Sequence, residues 1–591
     1  MQCKLVNENF RNNYLRNLMK ARGIENLDEY ANPPSSALQS PLDLKNIGQA
    51  AALYLRIVLN DKPPYSRILI IVDSDCDGFT SATIMYQYTK RVNCHCQIDY
   101  WLHEGKQHGL QDHMDRLLNE DVHYDLIILP DSSSNDAHYH DMLDGINIPC
   151  LILDHHLTDV ALSDNAIVVN NQLSPLYRNK ELVGAGIVWQ FCRYIDMKLN
   201  QTWANDFIDL AALGEIGDMG SILELENRYI VFNGLKNIKN DFFKCLLNNA
   251  GYSITGQQNP SWDTILQFTT PISVAFYIVP MINALIRVGT MDEKRLMFEA
   301  FLHGDQMIPC NKRGAKGTLE RADVEVTRIC NNAKAHQKKL TDAAMDMAEM
   351  RISKYDLLEN KVLFLRLEDE QFPPELNGYL AMKLAAKYKR PTIVARLNKD
   401  GFDKGSMRGL NQSALTDFKS FLTASGYFDY VQGHANAAGL AIADQNLASF
   451  HDYANKALKD VDFGENIYDV NFVRNATDND INSLILDVCS MSDIYGQGNP
   501  EPLIQIQNLY VNPEDVRIMG ARKDTIKITV NGISYIKFFA SKDLIPEIQA
   551  SSGTMCLNLV CKPALNHYLG NVYPQMQIIE YEMKPASICD F

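Results

Sequence analysis

The sequence predicts an α/β protein: a doubly wound parallel sheet, a long connecting helix, a second and smaller α/β domain, and an OB-like β-barrel at the C-terminus. Three observations predict it. Apolar runs alternate with helix-like segments over residues 46–240, as in "SRILIIVDSD" before "SATIMYQYTKRV" and "YDLIILPDSS" before "AHYHDMLDG"; strands apolar throughout belong to parallel sheets covered on both faces. Residues 322–354 contain no Gly or Pro and are rich in helix formers, which reads as one long helix. After about residue 480 the pattern changes to short strands, "PLIQIQNLYV", "TIKITVNGISYIKFFA", "TMCLNLVCKPAL" and "YPQMQIIEYEM", the signature of a small barrel, with the oligonucleotide-binding type as the leading candidate.

In chain order, residues 1–45 form an N-terminal extension, 46–240 the first α/β domain, and 241–354 a helical connector ending in the long helix. Residues 355–465 make the second α/β domain, opening at "KVLFLRLEDE", and 466–591 the barrel. A chain of 591 residues exceeds the size at which a single core stops growing. The N-terminus has no uninterrupted apolar segment, and no later stretch approaches the roughly 20 apolar residues of a membrane span, so neither secretion nor a membrane is expected. The 13 cysteines are an odd number scattered through apolar segments, which fits reduced thiols in a cytoplasmic setting. Cys94, His95 and Cys96 lack the CxxC spacing of a zinc site. A net charge of -16 excludes a surface basic all over and confines nucleic-acid contact to a local channel, for which Lys387, Lys389, Arg390 and Arg396 are candidates.

The chemistry gathers where the first domain's strands end. Asp73, Asp75 and Asp77 alternate directly after "SRILIIV"; on an extended strand they would share a face and repel unless a cation lay between them. Further acids are expected at strand ends in Asp131 after "YDLIILP", in Asp154 with His155 and His156 after "PCLIL", and in Asp218 of "LGEIGDMG". One Asp after a strand is most often a helix N-cap, but four such ends together form a mixed oxygen and nitrogen site suited to Mn²⁺ or Mg²⁺. Two such ions activate water and clamp the oxygens of an in-line phosphoryl displacement. His138 and His140 read as a solvated helix face.

"DSDCDG", Asp131, "DHH" and "GEIGDMG", in this order, resemble the four motifs of the DHH phosphoesterase superfamily. "ELVGAGIVWQF", "VPMINALIRVG", "KGSMRG", "GHANAAGLAI" and "YGQGNPEPL" are similar to segments of its RecJ-type single-strand-specific DNA exonucleases. The resemblance implies a DHH domain, a DHHA1-type second domain and an OB barrel. It implies that Asp73, Asp75, Asp77, Asp131 as the bridge, His155 and Asp218 hold two Mn²⁺ or Mg²⁺ ions. Asp154 would orient its neighbouring imidazole and His156 would contact the scissile phosphate. Ser406 and Arg408 would form a pocket for a terminal 5′-phosphate with Arg287 approaching the same end, and Gly433 and His434 would meet substrate phosphate. The implied reaction is 5′→3′ hydrolysis of single-stranded DNA to mononucleotides, with RNA as an alternative strand and replication or repair proteins as partners.

Two departures bear on the phosphate end. Gln432 stands where the family usually has a first glycine, and "LHEGKQHGL" replaces an arginine upstream of a "GYG" turn, leaving Lys106 as a substitute without the bidentate fork. Two alternatives stand beside the exonuclease: a phosphodiesterase for short oligonucleotides or cyclic dinucleotides, which needs no terminal barrel, and a non-catalytic replication or repair scaffold, which need not keep every ligand.

Overall fold

The computed structural model describes the chain apart from residues 106, 120–122, 159–160, 369–371, 412, 465, 552, 569–570 and 586–591. Two compact units emerge: Asp28–Lys338 with Asp493–Pro500, and Met1–Leu27 with Lys339–Ser492 and Glu501–Phe591. The chain opens with β1 (Gln2–Leu5) and α1 (Tyr14–Ala21), which belong to the second unit.

The first unit is built on a five-stranded sheet, β2 (Arg67–Val72), β3 (Gln97–Leu102), β4 (Leu126–Pro130), β5 (Cys150–Asp154) and β6 (Ala166–Asn170). The order is β3-β2-β4-β5-β6 and every pair is parallel. The apolar runs are continuous because both faces are covered. Ile68, Ile70 and Val72 of β2 enter one core, with helices α2 (Ile47–Val58), α3 (Cys76–Val92), α4 (Gly184–Leu199) and α5 (Ile208–Gly217), while Leu69 and Ile71 enter a separate core on the other face. Strand order reverses between β2 and β4, the switch point at which open α/β sheets receive ligands beyond their strands' carboxyl ends. Of the helices that follow, Pro271–Val288 reaches a mean hydropathy of 1.6 over 18 residues, but half of it is buried within the fold. α6 (Met291–His303) packs against the sheet, a hairpin of β7 (Met307–Pro309) and β8 (Leu319–Arg321) follows, and α7 runs unbroken over Ala322–Lys354.

In the second unit, β9 (Leu363–Arg366), β10 (Thr392–Leu397), β11 (Phe402–Arg408), β12 (Phe428–His434) and β13 (Ala437–Ala443) form a mixed sheet in the order β12-β13-β11-β10-β9. β1 pairs in parallel with β14 (Ile467–Val470), so the N-terminal extension does not stand alone. The terminal sheet joins β15 (Phe472–Asn475), β16 (Ile504–Val511), β17 (Val516–Met519), β18 (Thr525–Val530), β19 (Ile533–Lys537), β20 (Met555–Tyr568) and β21 (Asn571–Pro585) in the order β15-β16-β20-β21-β19-β18-β17. This mixed sheet is the OB-like domain.

Candidate metal centre

Extended alternation does not deliver the first three acids. β2 stops at Val72, and Asp75 caps α3, its side chain accepting from Gly78 N at 3.0 Å. The N-cap reading holds for Asp75, and the turn it makes sends Asp77 into the first helical turn instead of along a strand. Asp77 is buried there and accepts from Gly184 N at 2.8 Å and Ala185 N at 2.9 Å, the positive N-terminal end of α4. Asp131 follows β4 in a left-handed conformation, φ 67°, an uncommon place for a residue with a side chain and one that accompanies function. Asp154 is the last residue of β5. Asp218 is not at a strand end: it terminates α5, its N–H donating to Gly214 O at 2.9 Å. "LGEIGDMG" is apolar enough to pass for a strand but lies in a buried helix.

These residues meet in three overlapping groups, each with ligand atoms within 4.8 Å of one another: Asp73, Asp75 and Asp131; Asp77, His155 and Asp218; and Asp131, Asp154, His155 and His156. Asp131 and His155 join the groups, His155 Nε2 lying 3.2 Å from Asp131 Oδ1 and 3.4 Å from Asp218 Oδ2. Gly184 and Gly214 crowd the acids closely: an added Cβ would strike Asp131 at the first and Asp77 at the second.

Electrostatics separate the carboxylates into two kinds. Burial, then neighbouring acids, pushes Asp77 and Asp131 well above the usual range. Asp73 is raised by burial as well, and Asp218 rises to about 7 from burial and the charge of Asp75. Asp73 Oδ1 and Asp131 Oδ1 are buried and accept no hydrogen bond. Asp154 is the opposite case. Burial pushes it up, but the charge of His156 and its hydrogen bond hold it well below. It accepts from Ser134 N at 2.9 Å, His155 N at 2.7 Å and His156 Nδ1 at 2.7 Å. Burial alone would discharge His156, yet beside Asp154 its pKa rises to about 10.

The donor set fits a hard divalent cation. It offers carboxylate oxygen and imidazole, leaves two buried carboxylate oxygens without a hydrogen bond, and packs acids so closely that they cannot all ionise without positive charge among them.

Of the remaining expected site residues, Lys106 lies outside the described residues and Arg287 sits in the last turn of Val279–Val288 in the first unit. The others lie on the second unit's sheet, where Arg408 of β11 and His434 of β12 are both in register with Ala437 of β13. Register partners share a face, so the arginine and the imidazole flank a small residue, and Ser406 and Gln432 flank Gly439, two residues along β13. Gly433 has φ 133°, a conformation that favours glycine. Arg408 Nη1 donates to Met407 O at 2.7 Å, and its guanidinium fills the space over Gly378.

Three of the four cations expected to line a channel are engaged by the fold itself: Lys387 pairs with Glu349, Arg390 donates to the carbonyls of Leu358 and Asn360, and Arg396 donates to Phe372 O. Turns leave carbonyls that a guanidinium can satisfy. His140 is buried, not solvated, its Nε2 3.4 Å from Ser133 Oγ; the helix face that carries it is turned to the sheet.

Two features went unread in the sequence. His108 Nδ1 lies 2.6 Å from Asp73 Oδ2. In the terminal sheet Arg517, Lys527, the buried Ile536, Gln577 and Lys562 form one cross-strand row, with the two leading cations directly opposite each other. The exposed Phe538 and Phe539 follow β19, Phe539 in a left-handed conformation, φ 57°. Period-2 spacing marks Arg517 and Lys527 as outward-facing, but only strand pairing sets them side by side.

Residues 67–215 match the DHH family, N-terminal domain, and residues 475–580 match the RecJ OB domain. A chain from Bacillus subtilis, described as a putative SPbeta prophage-derived single-strand DNA-specific exonuclease, YorK, is 36% identical over 99% of this chain and 98% of its own length. The chain belongs to the RecJ-type DHH family. The family's single-stranded-DNA-specific exonuclease RecJ from Haemophilus influenzae is 23% identical over 96% of this chain and 95% of its own. The crystal structure of RecJ from Thermus thermophilus in complex with Mn²⁺ covers 99% of this chain, with 80% of that chain covered, at a TM-score of 0.71 and 20% identity. A structure of the same enzyme in complex with Mg²⁺ aligns at 0.66. At that identity the likeness shows the shared RecJ fold.

Proposed function

We propose that this chain is a metal-dependent exonuclease that hydrolyses single-stranded DNA from its 5′ end to mononucleotides. The observation that carries the proposal is the convergence of six ligand side chains, Asp73, Asp75, Asp77, Asp131, His155 and Asp218, with two buried carboxylate oxygens left unsatisfied. In this reading Asp131 would be shared between the two groups of ligands, and Mn²⁺ or Mg²⁺ held by them would supply Lewis acidity to water and to the scissile phosphoryl group. His156, half-exposed and kept charged by Asp154, meets the negative charge that develops on the phosphate. Asp154, by taking Nδ1, fixes the ring so that Nε2 is the nitrogen offered to substrate. Ser406, Arg408, Gly433 and His434 receive the terminal phosphate, the arginine by its planar fork. Arg517 and Lys527 hold backbone phosphates on the terminal sheet, with Phe538 and Phe539 for base stacking. The relatives' names support a single-strand DNA substrate.

The test is end-labelled single and double strands of DNA and RNA, incubated with Mn²⁺, Mg²⁺ or EDTA and sized. Mononucleotides released from the 5′ end of single-stranded DNA, and no release in EDTA, are expected. Release from the 3′ end overturns the polarity, and cleavage confined to dinucleotides overturns the long-strand reading. Arg408→Lys should lower the preference for 5′-phosphate over 5′-hydroxyl ends about tenfold, the worth of a charge-assisted hydrogen bond of order 1–2 kcal/mol.

A further inference from the structure

Three contacts anchor the described residues on either side of His108, in the segment between β3 and the short helix Met114–Asn119. At its start, Lys294 of α6 donates to the carbonyls of His103 and Glu104. Beneath it, the His103 and His113 rings pack at 4.5 Å between centroids, and burial holds His103 neutral, its pKa lowered to about 3. At its end, Leu110 N donates to Asp136 Oδ2 at 2.8 Å. Gly109, φ 73°, passes so close to that carboxylate that any side chain would collide with it. Between these anchors lies His108, whose Nδ1 is 2.6 Å from Asp73 Oδ2. That is a hydrogen-bond distance, and toward a carboxylate the ring nitrogen donates.

We propose that His108 is a positioning residue for the metal centre: it holds Asp73 by Oδ2 so that Oδ1 faces Asp75 and Asp131. Three observations carry this. Asp73 is buried, its Oδ1 accepts no hydrogen bond, and it lies within ligand distance of the other two acids. A carboxylate fixed at one oxygen presents the other with a defined direction, and loss of such an outer partner costs about 10–100-fold in metal affinity. His108 acts from a loop outside the four acidic motifs, and the side-chain type at this position, one before Gly109, sets how firmly Asp73 is held. The proposal rests on the two-ion reading of the centre.

The test is Mn²⁺ binding to the full-length protein by electron paramagnetic resonance, with thermal unfolding in parallel. His108→Ala should weaken Mn²⁺ binding about 10–100-fold without lowering the metal-free melting temperature. His108→Asn, whose amide N–H can stand near Nδ1, should recover most of the affinity, and His108→Gln, whose amide falls near Nε2, should not. Nitrogen couplings to bound Mn²⁺ should be the same in wild type and in His108→Ala at saturating metal. Loss of a coupling in that variant would make His108 a direct ligand and overturn the positioning role, as would wild-type affinity in His108→Ala. Wild-type protein that binds no Mn²⁺ would instead sink the two-ion reading itself.

Discussion

Two buried carboxylates in the first unit teach opposite lessons. Glu226 is almost wholly buried, and its oxygens accept from Tyr177 Oη at 2.9 Å, Asn179 Nδ2 at 2.9 Å, Gln190 Nε2 at 2.5 Å and Gln39 N at 3.0 Å. Asp131 is as deeply buried, but its Oδ1 accepts no hydrogen bond, and its neighbours are other acids and the His155 imidazole, whose Nε2 lies 3.2 Å away. A charge removed from water needs compensation. Glu226 has it from neutral donors already in place and therefore ties the fold together. Asp131 lacks it, and the chain maintains the arrangement with a left-handed backbone and a glycine pressed against the side chain. An unsatisfied buried acceptor among other acids, more than burial itself, marks a candidate ligand.

The largest effect should come from Asp131→Asn. Nuclease activity should fall by about a thousandfold or more, the several kcal/mol expected of a carboxylate shared by two ions, while the metal-free protein unfolds no earlier than wild type because a neutral amide replaces an acid that burial and its neighbours force to hold a proton. A lower melting temperature with activity intact would reverse the comparison. Glu226→Ala should behave the other way. It strands several buried donors and should cost about 3 kcal/mol in denaturant unfolding, with activity per folded molecule retained.

The raised carboxylates make a pH prediction. Asp73, Asp77, Asp131 and Asp218 keep protons in the metal-free native state that the unfolded chain has lost above about pH 4. The native state binds more protons, so stability falls as pH rises. Metal-free protein should therefore lose melting temperature from about pH 4 upward, through the Asp218 value of about 7. Mn²⁺ should raise the melting temperature more at pH 8 than at pH 5, because it compensates the same charges. A flat metal-free profile would mean that the acids find other partners.

The smallest expected effect lies on the terminal sheet, where Arg517 and Lys527 face each other and no carboxylate pairs with either among the described residues. Like charges opposite each other destabilise a sheet by a few tenths of a kcal/mol. Removing both, as Arg517→Ala with Lys527→Ala, should leave stability unchanged or slightly higher. It should also reduce the slope of log affinity against log salt for single-stranded DNA by about 1.4, roughly 0.7 per phosphate contact. An unchanged slope would remove this face from the strand's path.

Much was determined by local sequence. Continuous apolar runs specified the parallel sheet, because a strand buried on both faces has no polar side to show. The absence of Gly and Pro specified α7 to its observed ends. The acids were legible because charged residues at the ends of apolar segments need a reason. Tertiary structure decided how they meet. Asp75 and Asp77 reach the site by a capping turn, not a strand, and Asp218 arrives from a helix. His108 reaches Asp73 across 35 positions, Arg517 faces Lys527 only through pairing, and Lys387, Arg390 and Arg396 are taken up by neighbours distant in sequence. Periodicity and composition report which face of an element is buried. Which oxygen lacks a donor, and which cation has one nearby, depends on groups that only the folded chain brings within about 3 or 4 Å of each other.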